Sequence, residues 1–104
     1  MERKDPQTVG DVLRDFLEET ALQARMDELK GVSLWATAVG ETIASECSRP
    51  VVKNGIMTVG VGNASLRHEL HMNRTRLCSI INDMIGKPVI KEIKFKSPYN
   101  YESV

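Results

Sequence analysis

Arg67, His71 and Arg74 stand four and three positions apart, and on a helix that spacing stacks side chains along one flank. Cations held in a row on a rigid element can follow a phosphate backbone, because each neutralised phosphate releases condensed counterion and makes affinity salt-dependent. The plainer alternative is a solvated flank carrying ordinary surface arginines. Arg49 and Lys53 around a hairpin, and Lys94 and Lys96 on a late strand, are the cations available to extend such a row.

Other reactive side chains form weaker patterns. His68 and His71 lie one helical turn apart, yet two ligands without a third make a poor metal site, and surface histidines are the better reading. Cys47 and Cys78 occur without a CxxC spacing, as in a reduced intracellular pair, and Cys78 has no sequence-adjacent base to activate it. Trp35 has the ring to stack on a base, but it falls in an inward apolar stripe and is expected in the core. No Gly-rich phosphate loop and no hydrolase-like carboxylate pair occurs. The expectation is a protein that is not an enzyme, with no metal, cofactor or small-molecule substrate.

Charge is divided along the chain although its sum is zero. Residues 1–46 hold ten acidic against five basic side chains, a net charge of −5, and residues 47–104 hold nine basic against four acidic, a net charge of +5. Such asymmetry fits a polyanion-binding face beside an acidic face that a protein partner can use. An apolar fraction of 41% in 104 residues fits one soluble domain, with no stretch apolar enough to cross a membrane. The first residues, Met1 to Pro6, have no secretory apolar core, so a cytoplasmic location is expected.

The elements that must position the cations follow from periodicity. Thr8 is suited to cap a helix ending near Thr20, with Val9, Val12, Leu13, Phe16 and Leu17 on a buried stripe. Leu22, Met26 and Leu29 continue helically until Gly31, a natural stop. Ser33 then caps a third helix that turns Trp35, Val39 and Ile43 inward, with Gly40 admitting a close backbone. Pro50 precedes a short strand at Val51 and Val52, Asn54-Gly55 is a strong hairpin signal, and Met57, Val59 and Val61 alternate as a half-buried second strand. Asn63 or Ser65 caps one long helix running to Ile85 and stopped by Gly86 and Pro88. Its stripe is Leu66, Leu70, Leu77, Ile81 and Met84, with Asn73 as a half-buried, satisfied amide. Arg67 and Arg74 flank that stripe and are expected to be dispensable for folding. Val89 to Phe95 reads as a third strand, parallel to the second because a helical crossover joins them. The fold class is α+β in the order α-α-α-β-β-α-β, with helices on one face of a three-stranded mixed sheet. One domain spans residues 8–96, and residues 1–7 and 97–104 are expected to be loose ends.

The Trp35…Val39-Gly40…Ile43-Ala44 block, the Gly55-x-Met57-x-Val59-x-Val61 strand, Glu69-Leu70 and Asn82 together resemble the DciA family of bacterial replicative-helicase loaders. The resemblance runs from the first helix to Phe95 and marks the chain as a short single-domain member. It implies a KH-like fold, DNA binding (single-stranded or forked, with RNA as an alternative) and partnership with the replicative helicase during replication initiation. The GxxG clamp of KH domains is missing between the helices, so nucleic-acid contact is expected to rest on the basic helix and strand. The competing expectation is a protein-interaction adaptor that docks through its acidic N-terminal helices and does not touch nucleic acid.

Overall fold

The structure is a computed structural model that describes residues 6–98, so the expected loose ends at 1–7 and 97–104 lie largely outside the described residues. The chain runs through α1 (Pro6–Val39), α2 (Glu41–Ser45), β1 (Val51–Lys53), β2 (Ile56–Gly60), α3 (Ala64–Met72), α4 (Arg74–Ile85) and β3 (Glu92–Lys96). Asn54 and Gly55 take φ values of 53° and 83°, the left-handed pair that a two-residue connection between right-twisted strands demands. The sheet has the order β1-β2-β3, with β1 antiparallel and β3 parallel to β2. This is the expected α+β class with a mixed sheet, and its element order is compatible with a KH-like arrangement.

Register decides which face is core. Val52, Met57 and Ile93 share one row, and Val59 pairs with Phe95 two residues on. Val52, Met57, Val59 and Ile93 are buried beneath Val32 and Trp35 of α1, Leu70 of α3, and Leu77 and Ile81 of α4. Val51, Thr58 and Lys94 form the intervening row and point to the opposite face, where Val51 and Lys94 are exposed. The Trp35 ring lies 5.9 Å from that of Phe95, which makes it the core residue its stripe predicts.

The N-terminal helices differ from expectation. Thr8 lies inside a single 34-residue helix that runs through both Thr20 and Gly31. Gly31 is buried, and a Cβ there would lie 3.2 Å from the Ile90 Cδ1 atom; its role is close approach. Gly40 is the true stop, with φ 93° and ψ 151°, a conformation open almost only to glycine. Val9, Val12, Leu13, Phe16, Leu17, Leu22, Met26 and Leu29 are all exposed: the first half of α1 extends beyond the domain and has no neighbour among the described residues, and Met26 and Leu29 lie on the side of α1 turned away from the buried Asp27, Gly31 and Trp35. The long helix is likewise two: Asn73, exposed, donates from Nδ2 to the Glu69 carbonyl at 2.9 Å while its own N–H is shared between Glu69 and Leu70. That competition for helical carbonyls separates α3 from α4. Asn63 does cap α3, its Oδ1 accepting from the Leu66 N–H, and Gly86 ends α4. Met84 is 38% exposed and lies outside the core, and β3 begins at Glu92, later than Val89.

The segment before β3 is fixed by side chains of α4. Asn82 donates from Nδ2 to the Ile90 carbonyl and accepts from the Ile90 N–H, both at 2.8 Å, and the Cys78 thiol donates to the same carbonyl at 2.9 Å. A side-chain amide thus supplies the pairing that a strand would give a buried backbone. Replacing Asn82 with alanine leaves the Ile90 N–H without its partner and is expected to cost about 2 kcal/mol, read as a lower urea midpoint.

A polar collar ties α1 to the rest. Arg25 donates to the Val52 carbonyl at 2.9 Å, Glu28 accepts from the Gly55 N–H at 3.0 Å, and Asp27 pairs with Lys87 at 2.8 Å. Asp27 is only 7% exposed, and the Lys87 ammonium bonded to it holds its carboxyl below the ordinary value against the opposing effect of burial. A depressed carboxyl stabilises the fold fully above its unfolded pKa, and that stabilisation drains as pH falls through the folded one. Lys87→Met is therefore expected to flatten the acid limb of stability below about pH 4, as measured by denaturant unfolding at stepped pH.

Candidate nucleic-acid interface

The helix break at Asn73 places Arg67 and His71 on α3 and Arg74 on α4, yet the three remain neighbours. Arg74 Nη1 donates to the His71 carbonyl at 2.9 Å and lies 3.1 Å from His71 Nε2. The guanidinium thereby sits at the C-terminus of α3, where a cation meets the negative end of the helix dipole. Arg67, half-buried, turns back onto the end of β2, its Nη1 donating to the Val61 carbonyl at 2.6 Å. It is partly a structural tie, which corrects the expectation that it is a free flank cation.

Two shallow clefts lie side by side along β3. The first holds about 320 Å³ between Arg67, His68 and His71 of α3 and Phe95 of β3. The second, of about 160 Å³, lies between Arg74, Thr75 and Cys78 of α4 and the strand side at Lys91, Glu92 and Ile93. The ladder therefore follows β3, which is an edge strand of the sheet. Lys91 joins it although its spacing gives no sign of this; only the tertiary packing of β3 against α4 brings it beside Arg74.

The remaining cations divide by face. Lys94 and Lys96 are exposed on the outer face of β3, so they and the ladder lie on opposite sides of one strand and meet at its edge. Lys53 is also exposed, in the row Lys53-Ile56-Glu92, two strands away from Lys94 and with a carboxylate in its row. Arg49 is exposed before β1 and lines neither cleft. Ion pairs among the described residues join Arg14 to Asp11, Arg25 to Glu28 and Lys87 to Asp27, leaving Arg67, Arg74, Lys91, Lys94 and Lys96 outside such pairs.

The other candidates have structural surroundings. His68 and His71 share a cleft whose lining contains no carboxylate or thiol. Burial pushes the Cys47 and Cys78 thiols up, reinforced at Cys47 by the Glu46 charge and opposed at Cys78 by the Asn82 hydrogen bond; both are free cysteines held as thiols, poor nucleophiles. No helix of the described residues is long and apolar enough to cross a membrane.

A small α+β domain whose cations gather along one sheet edge has the form of a binding module, and comparison with known proteins gives it a family. The family model described as "Dna[CI] antecedent, DciA" matches residues 8–95, and the chain belongs to the DciA family. It is similar to a UPF0232 protein of Mycolicibacterium smegmatis, 26% identical over 95 residues that make up 91% of this chain and 49% of that protein. A UPF0232 protein of Mycobacterium leprae is 25% identical over 91% of this chain and 50% of its own length, and one of Rhodococcus jostii is 22% identical over 91% and 50%. The chain spans about half the length of the curated relatives it matches.

The bond from Arg67 to Val61 separates the two arginines in a stability measurement. Arg67→Ala is expected to lower unfolding free energy by about 1.5 kcal/mol, the scale of a charge-assisted hydrogen bond that is partly buried, whereas Arg74→Ala, whose bond to the His71 carbonyl is exposed to water, should stay within about 0.5 kcal/mol of the parent. Paired urea titrations check both values.

Proposed function

We propose that this chain is a non-enzymatic, cytoplasmic DNA-binding module that works beside the replicative helicase in bacterial replication initiation. Membership of the DciA family supports the replication and helicase part of that reading. The observation that carries the DNA part is the alignment of Arg67, His71, Arg74 and Lys91 along the β3 edge, with Lys94 and Lys96 on the outer side of the same strand. Cations on both sides of one edge suit a narrow, flexible polyanion that can pass from one face to the other, which favours single-stranded or forked DNA over a stiff duplex; RNA shares that chemistry. The break between α3 and α4 carries Asn73 and no GxxG of the kind by which KH domains clamp nucleotides, so phosphate contact falls to side chains. Such contacts position a strand without reading its sequence.

The adaptor reading keeps one specific observation in its favour, the exposed acidic and apolar first half of α1. Salt dependence separates the two. Binding of single-stranded, duplex and forked DNA across a salt series is expected to be tightest for the first and last. The Arg74→Ala, Lys94→Ala, Lys96→Ala triple variant, altered only at exposed positions, should lower the log-log salt slope on single strands by up to about two. A triple variant that binds like the parent at every salt concentration would remove DNA from the function and leave the adaptor.

A further inference from the structure

We propose that the first half of α1 is a self-association arm, on which a second copy of this chain docks its own arm antiparallel. A single stripe with steps of three and four runs the whole length of the helix: Val9, Leu13, Leu17, Thr20, Ala24, Asp27, Gly31 and Trp35. Its last three members are buried in the domain, whereas Val9, Leu13 and Leu17 are 54%, 58% and 58% exposed. The face that makes the core thus continues uncovered for several turns, flanked by Val12 and Phe16. A helix of some twenty residues standing alone in water is marginal, and this stretch includes Val9, Gly10, Val12 and Thr20, all of modest or low helix propensity. It requires a partner surface.

The size gradient along the stripe selects the partner. Large side chains fill the N-terminal turns (Val9, Leu13, Phe16, Leu17) and small ones the next (Thr20, Ala21, Ala24). A reversed copy lays large onto small, Leu13 over Ala24 and Leu17 over Thr20 about a two-fold axis, the self-complementarity that an isologous dimer needs. In that register Leu13 of the copy lies over Ala24, the last exposed member of the stripe, and its Val9 arrives at Glu28, where the domain begins.

Polar groups bordering the small half already have partners. The Thr20 hydroxyl donates to the Phe16 carbonyl at 2.8 Å, Gln23 donates to Asp27 at 3.0 Å, and Asp27 is held by Lys87, which lowers the cost of covering them with a second helix. Asp11, Asp15 and Glu18 fall on the far side of α1 and stay in water. The uncovered stretch from Val9 to Ala24 is about 24 Å long, and two such arms laid together bury on the order of 1,000 Å², the lower end for a specific interface.

Sedimentation velocity of the whole chain over a concentration series tests the arm. The expected result is a reversible monomer-dimer equilibrium in the micromolar range. Leu13→Ala and Ala24→Leu should each weaken the dimer at least tenfold, and the two together should return it to within a few-fold of the parent by exchanging large for small. Both positions are exposed, and far-ultraviolet circular dichroism with urea midpoints verifies that the domain stays folded. A chain that remains monomeric, a dimer that ignores both single variants, or a double variant that fails to recover would each overturn the proposal. A monomer whose Leu13→Ala variant loses a purified helicase would do the same and assign the arm to that protein.

Discussion

The collar midway along α1 is the constraint from which the rest of the arrangement follows. Within four consecutive residues Arg25, Asp27 and Glu28 reach a carbonyl of β1, the ammonium of Lys87 after α4, and the amide of the hairpin turn. Side chains at these positions point in different directions round the helix, so one turn grips the hairpin at two points and the segment after α4 at a third. Their hydrogen bonds fix the axial position of α1, and that position puts Gly31 against Ile90 and Trp35 against Phe95. A shift of one helical turn, about 5.4 Å, would drive a Cβ into Ile90. Polar contacts set register here, and apolar burial supplies the stabilisation.

Local chemistry was readable from the chain and tertiary reasons were not. The Asn54-Gly55 turn, the Asn63 cap, the Gly86 stop and the parallel crossover all depend on residues close in sequence, and the structure has them. Gly31 and Gly40 show the limit. Periodicity assigns the first the role of a stop and the second that of a close approach, and the structure exchanges the two. A glycine needed for its φ and a glycine needed for its missing Cβ look alike until the neighbour is known, and the neighbour of Gly31 is 59 positions away, at Ile90. The stripe from Val9 to Leu17 was correctly helical and apolar, but periodicity reports which face is hydrophobic and not whether anything covers it.

Within the candidate interface the same division holds. Spacing alone put Arg67, His71 and Arg74 on one flank, and they are neighbours despite the interruption at Asn73. Spacing could not show that Arg67 is engaged by the Val61 carbonyl, since that acceptor belongs to the preceding strand. Nor could it find Lys91, which reaches the row through the crossover clamp of Asn82 and Cys78 on Ile90. Lys53 and Arg49 share only their charge sign with the others; strand register sets Lys53 apart, and Arg49 lies before β1 and lines neither cleft.

The continuity of α1 makes it a spacer as well as a core element. A helix advances about 1.5 Å per residue and, lacking a proline or a hinge between the arm and Trp35, transmits orientation along its axis. Anything held near Phe16 is therefore presented to the β3 edge at one distance and one angle. A flexible linker would sample many separations and give moderate effective concentration at all of them; a rod gives a high value where the spacing matches and almost none elsewhere. Geometry, more than contact area, would then decide which assemblies let the arm and the basic edge be occupied together.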